Sequence, residues 1–116
     1  MASLAKKSFS VSDERRALPK TTMETLRFGD RTVTRIIYQP GWRWTDDIKP
    51  TSGTDLCQVN HFVYVLSGRT HVAMADGSEM DIGPGDVATI SAGHDAWVVG
   101  DESCVLLDFG GAVRPE

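Results

Sequence analysis

His61-Phe62-Val63-Tyr64-Val65-Leu66-Ser67-Gly68 is the longest β-branched and aromatic run in the chain, and it closes on a turn pair. Asp76-Gly77 and Gly83-Pro84-Gly85-Asp86 follow at short intervals. Short apolar runs separated by obligatory turn residues read as a tightly wound all-β unit. Before it, Thr32 to Tyr38 is the first strand and Pro40-Gly41 turns the chain. Trp42-Arg43-Trp44 then resumes an extended course, which puts both indoles on one side. Residues 45–54 carry no periodicity and read as a loop, a place for a lid. Asp55 to Leu66 is the central strand, and Thr70 to Ala75 is expected to pair with it. Asp76-Gly77 turns into Glu79 to Ile82. Val87 to Ile90, His94 to Val99 and Cys104 to Phe109 complete a set with no amphipathic helix. Many short strands with regular Gly and Pro turns argue a sandwich or a jelly-roll barrel.

With 116 residues the chain has room for one core. Residues 1–20 alternate no face and read as a flexible tail, with a helical turn over Ser12 to Leu18; residues 21–116 form the single domain. The formal charge is −4. Within residues 1–20, five cations (Lys6, Lys7, Arg15, Arg16, Lys20) face two acids (Asp13, Glu14), so the remainder carries −7. An acidic domain repels phosphate backbones, and this argues against a nucleic-acid partner. The longest apolar run, Phe62 to Leu66, is far too short for a membrane helix. Lys6 and Lys7 are followed by no apolar segment, so no secretory signal is read and the expected location is the cytoplasm. Cys57 and Cys104 form no Cys-x-x-Cys pair, and Cys104, inside Cys104-Val105-Leu106-Leu107, reads as core.

Gly83-Pro84-Gly85-Asp86-Val87 with Ser91-Ala92-Gly93-His94 resembles the second motif of the cupins, and Tyr64-Val65-Leu66-Ser67-Gly68 resembles the close of the first. The resemblance covers about residues 36–109 and implies a double-stranded β-helix, a small jelly roll. It also implies isomerase, lyase or oxygenase chemistry on a small molecule. Cupin metal sites rest on a His-x-His pair, a Glu and a later His, and those positions map here to Asp55, Cys57, His61 and Ala96. The usual ligand set is therefore replaced. Parity offers another set: Asp55, Cys57 and His61 share a face if the strand is regular, and His94 has the parity of residue 96. Cys57, His61 and His94, with Asp55 or water as the fourth ligand, would suit a divalent metal such as Zn, Fe, Mn or Ni. Without metal, His61 would serve as a general acid or base.

Trp44, Tyr64, Arg43 and Asp55 make the candidate substrate-contacting set. Trp42 and Trp44 could roof a cavity, whereas Trp97 falls on the opposite face from His94. Asp95 is a candidate to orient an imidazole, and His71 reads as an exposed cross-strand residue. Two functions stand side by side. One is an enzyme acting on a small polar metabolite in the barrel, the other a non-catalytic ligand-binding or sensory module. A homodimer is expected, since a small jelly roll leaves sheet edges and apolar faces to cover.

Overall fold

Strand formation starts earlier than the apolar pattern suggests. The structure, a computed structural model, describes residues 3–110. After a 3-10 turn at Phe9–Val11, β1 (Glu14–Leu18) pairs antiparallel with β2 (Thr21–Phe28). The expected helical turn over Ser12 to Leu18 is thus a strand, and residues 14–18, assigned to the tail, belong to the sheet. Its alternate residues Glu14, Arg16 and Leu18 face a cavity rather than a packed core, and this removes the apolar periodicity. On the other face Glu24 is buried between Arg15 and Arg35, whose guanidinium nitrogens approach it at 3.1 and 2.7 Å. The two-residue Gly29-Asp30 loop folds β2 back on β3 (Arg31–Tyr38).

Beyond β3, the tryptophan stretch leaves the extended course. Trp44 opens a one-turn helix α1 (Trp44–Asp47), followed by a second, α2 (Lys49–Ser52), which ends at Gly53 with φ 79°. The loop expected over 45–54 is therefore two helical turns. Both indoles are nevertheless buried, Trp42 at 3% and Trp44 at 6% exposure.

The strands β4 (His61–Ser67), β5 (Thr70–Met74), β6 (Glu79–Ile82), β7 (Val87–Ile90), β8 (His94–Val98) and β9 (Cys104–Asp108) follow. They form a large sheet in the order β1-β2-β3-β9-β4-β7 and a small sheet β6-β5-β8. Every ladder is antiparallel. Two expectations change here. The central strand begins at His61 rather than Asp55, because the chain crosses from the small sheet to the large one between them. Cys57 belongs to the small sheet through a lone bridge to His94. β5 does not pair with β4, since Gly68 turns the chain into the other sheet, where β5 lies between β6 and β8.

Val63, Val65, Ile36, Cys104 and Leu106 from the large sheet face Val72, Ile82, Ala96 and Val98 from the small one. Burying each branched side chain contributes roughly 1.5–3 kcal/mol. Cys104 is fully buried, as expected. The outer face of the large sheet leaves Tyr64, Leu66, Val87 and Phe109 exposed, the surface an expected second copy would cover. Among the described residues, no helix is long and apolar enough to cross a membrane.

Candidate functional site

Between the sheets lies a cavity of about 510 Å³, a volume suited to a small molecule. Its wall is more apolar than the expected polar metabolite implies: Met23, Ile36, Tyr38, Trp44, Ile48 and Leu106 line it. At one place three metal-binding side chains converge.

Cys57 is held by its own backbone. Its N–H donates to the His94 carbonyl at 2.8 Å, and its carbonyl accepts from the Gly93 N–H at 2.7 Å. His94 therefore stands beside it at the start of β8. His61 starts β4 on the inward parity, and Asp108 ends β9 on the same side. The Asp108 Oδ2 lies 2.6 Å from His61 Nδ1, while Asp108 Oδ1 accepts from the Gly110 N–H. His94 Nδ1 donates to the Ser91 carbonyl at 2.7 Å. A carboxylate and a carbonyl can only accept, so both Nδ1 atoms carry protons and the Nε2 atoms are the ones left to bind. The His61 Nε2 lies 3.8 Å from Cys57 Sγ, and the two imidazoles stand edge to face at 5.3 Å between centroids. One ligand atom from each of Cys57, His61 and His94 falls within 4.8 Å of the others.

That donor set fits a transition metal. Thiolate and imidazole suit Zn²⁺ or Fe²⁺, and three protein ligands leave a position open to a substrate. Asp108 and the Ser91 carbonyl are the outer partners that fix the ring orientation of metal-bound histidines.

The other candidates divide. Trp44 lines the cavity with Trp42. Asp55 does not: its side chain is 97% exposed and pairs with Lys49, so it is no fourth ligand and no substrate contact. The reason is the crossover, which breaks the alternation on which that parity rested. Tyr64 points outward from β4. Arg43 also lies outside, its guanidinium 4.5 Å from the Trp97 ring centroid and its Nε donating to Asp95. Asp95 accepts from the Thr45 N–H as well, so it anchors α1 rather than orienting an imidazole. Trp97 lies on the outer face as expected, stacked on His71 at 4.6 Å. His71 bonds across the strands to Asp81 and Glu79. Sequence reading missed Asp108 and Tyr38. The available signals were the parity of Asp108 with Cys104 and Leu106, and that of Tyr38 with Ile36.

The charges at the site are interlocked. Burial opposes ionisation of the Cys57 thiol, but hydrogen bonds from His61 and His94 outweigh it and bring the thiol down to about 6. Burial likewise opposes protonation of His61, but Asp108 and Cys57 raise its pKa to about 9. Burial, with the Asp108 and Cys57 charges, keeps the Tyr38 phenol protonated. The Cys57 contribution to stability is present above its unfolded pKa and lost as pH falls through about 6. The His61 contribution is present below its unfolded pKa and lost as pH rises through about 9. Between roughly pH 7 and 8, unfolding takes up a proton at Cys57 and releases one at His61, so the contributions of these two groups to the pH dependence of stability oppose each other there. Thiol reactivity is the better readout. In metal-free protein, alkylation of Cys57 by iodoacetamide is expected to rise through a midpoint near pH 6. A midpoint at or above about 8, the ordinary thiol range, would contradict the pairing.

The model of the EutQ-like cupin domain matches residues 41–105, more than half of the chain. The chain belongs to the cupins. No curated protein matches it. Among solved structures, this cupin is similar to a protein of unknown function from Rhizobium leguminosarum bv. viciae 3841. The TM-score is 0.64 at 18% identity, covering 94% of this chain and 99% of that one. The polyketide cyclase RemF from Streptomyces resistomycificus matches with TM-score 0.66 and 20% identity, covering 98% and 83%. Ectoine synthase from P. lautus matches with TM-score 0.68 and 12% identity, covering 93% and 78%. Identities this low establish the shared jelly roll and nothing finer. The fold expected from the two motifs is thus the one observed, with two antiparallel sheets closing on a common interior.

Proposed function

We propose that this cupin is a metal-dependent enzyme acting on a small molecule in its barrel cavity, with Cys57, His61 and His94 as the metal ligands. One observation carries the reading: a sulfur and two imidazole nitrogens lie within 4.8 Å of one another. Asp108 and the Ser91 carbonyl hold the two rings with Nε2 left to bind. Aliphatic groups would fill these positions more cheaply in a purely structural barrel, since buried polar groups cost free energy unless partnered. Cys57, His61 and His94 would hold the metal, which would supply Lewis acidity toward an oxygen-bearing substrate. The chain's own residues do the rest. Asp108 orients His61 and retains the proton at its Nδ1, Ser91 does the same for His94, and the apolar walls exclude water. Isomerase, lyase and oxygenase reactions are the classes carried over from the cupin resemblance. RemF and ectoine synthase, named as enzymes, support catalysis on this fold by likeness alone.

Elemental analysis of protein purified without an affinity tag and exchanged with Zn²⁺ tests the reading. It predicts close to one equivalent, and the Asp108→Asn variant should bind Zn²⁺ about 10- to 100-fold more weakly while remaining folded. Less than about a tenth of an equivalent in the parent protein overturns it, because a preformed three-ligand site retains its metal.

A further inference from the structure

The cavity wall carries one unmatched charge. Arg16 lines it from β1, on an exposed position at the rim, and among the described residues no carboxylate stands within salt-bridge distance of its guanidinium. The neighbouring cations are neutralised: Arg15 and Arg35 pair with Glu24, and Arg27 pairs with Glu14. Both lining carboxylates are engaged as well, Glu14 by Arg27 and Asp108 by His61 and the Gly110 N–H. Tyr38 Oη and Asn60 Nδ2 have no partner among the described residues, and both keep accessible surface, whereas Trp42 Nε1 and Thr70 Oγ1 are shut off. Asn60 Oδ1 is taken by the Ala92 N–H. Gln58 Oε1 and the threonine hydroxyl oxygens are acceptors still open to a ligand, and none of them is charged. A wall with a free cation, spare donors and engaged acids is complemented by an oxyanion.

Strand register says what lies between Arg16 and the metal-binding cluster. Arg16 stands opposite Met23, Met23 opposite Ile36, and Ile36 opposite Leu106, and all four line the cavity. An apolar row of three side chains therefore runs across the large sheet from the guanidinium to β9. Asp108, the next inward position after Leu106 on β9, holds His61, so the cluster stands beside the far end of that row. Three inter-strand spacings make the distance from β1 to β9 about 14 Å along the sheet, part of which the arginine side chain itself spans. A hydrocarbon body of medium length covers the remainder and removes apolar surface from water on both sides.

We infer that the cavity takes a carboxylic acid with a hydrocarbon body, its carboxylate held at the rim by Arg16 and its body lying along Met23, Ile36 and Leu106 toward the cluster. This rests on the cavity being the ligand site proposed above, and not on the metal.

Octanoate and octanamide, matched in shape and differing in charge, test it, with acetate as the bare carboxylate and D-ribose as a polyol. Binding is measured by titration calorimetry at low salt on metal-free full-length protein, where no ion competes for the carboxylate. Arg16→Gln removes the rim charge, and Arg31→Gln removes one from an exposed position outside the cavity wall. Thermal midpoints check that both variants fold. The parent should prefer octanoate to octanamide by about fivefold or more; Arg16→Gln should lose most of that preference and Arg31→Gln should keep it. Equal affinity for octanoate and octanamide, a preference that survives Arg16→Gln or is lost equally in Arg31→Gln, or no binding of either overturns the inference. Acetate or D-ribose binding as tightly as octanoate overturns it too. The octanoate preference in a protein that takes up no Zn²⁺ supports the inference while the metal reading falls. Zn²⁺ uptake without that preference does the reverse.

Discussion

Cys57→Ala is expected to weaken Zn²⁺ binding by more than about a hundredfold, since losing a direct ligand exceeds the 10- to 100-fold typical of outer partners. The variant removes the only sulfur in the cluster and leaves two imidazoles, with no further member of the cluster among the described residues. Competition with a chromophoric chelator reads the affinity directly. Asp55→Ala is the informative companion. Its carboxylate is in solvent beside Lys49, so its loss should leave Zn²⁺ affinity within about twofold, because exposed ion pairs couple weakly to a remote site. Comparable losses in both variants would mean that the chain enters the barrel at residue 55, as strand parity alone suggests, and would contradict the crossover. Circular dichroism of each metal-free variant separates a ligand effect from unfolding.

Gly68→Ala should be the most damaging small substitution. Gly68 sits at φ 74°, in the left-handed region that side-chain-bearing residues avoid. A Cβ there would stand 2.2 Å from the Ser103 carbonyl oxygen and 2.5 Å from Cys104 Cα. Both obstacles are backbone, so neither can rotate away. We expect a loss on the order of 3–5 kcal/mol, against a total stability of about 5–15 kcal/mol for a domain of this kind. In thermal melts this is a drop of more than about 12 °C. Gly85→Ala provides the reference: its φ is 89° but nothing lies within 4 Å of the added methyl. It should cost about 1–2 kcal/mol, the conformational term alone. A Gly68→Ala midpoint equal to that of Gly85→Ala would contradict the close passage of the turn over Ser103 and Cys104.

That turn also explains what could be read from the residues alone. From β5 to β9, alternation and glycine turns place each strand to within a residue, whereas β4 starts six residues later than expected. The pairing of β5 was misjudged for a local reason: Gly68 redirects the chain between sheets, and a turn dipeptide does not say which sheet receives the next strand. β1 and β2 were invisible to periodicity. Thr21, Met23 and Thr25 face a cavity, while Thr22, Glu24 and Leu26 lie on the other side, where Glu24 is neutralised by two arginines. Neither face reads as apolar.

At the site the same distinction holds. Cys57, His61 and His94 were legible from the cupin resemblance with parity, and they do converge. Asp55 failed because a strand's alternation cannot be carried through a segment that changes sheets. Arg43 and Tyr64 failed because charge and aromaticity do not reveal which face a residue takes. Asp108 escaped notice because its role depends on register. Only the pairing of β4 with β9, with Val63 opposite Asp108, brings a carboxylate from the far end of the sequence under His61.

X-ray absorption at the zinc edge of the Zn²⁺-loaded protein asks most directly whether three donors share one ion. The account predicts one sulfur at about 2.3 Å with two imidazole nitrogens at about 2.0 Å and a light atom in the open position. A first shell of oxygen and nitrogen only, with no sulfur, would contradict it.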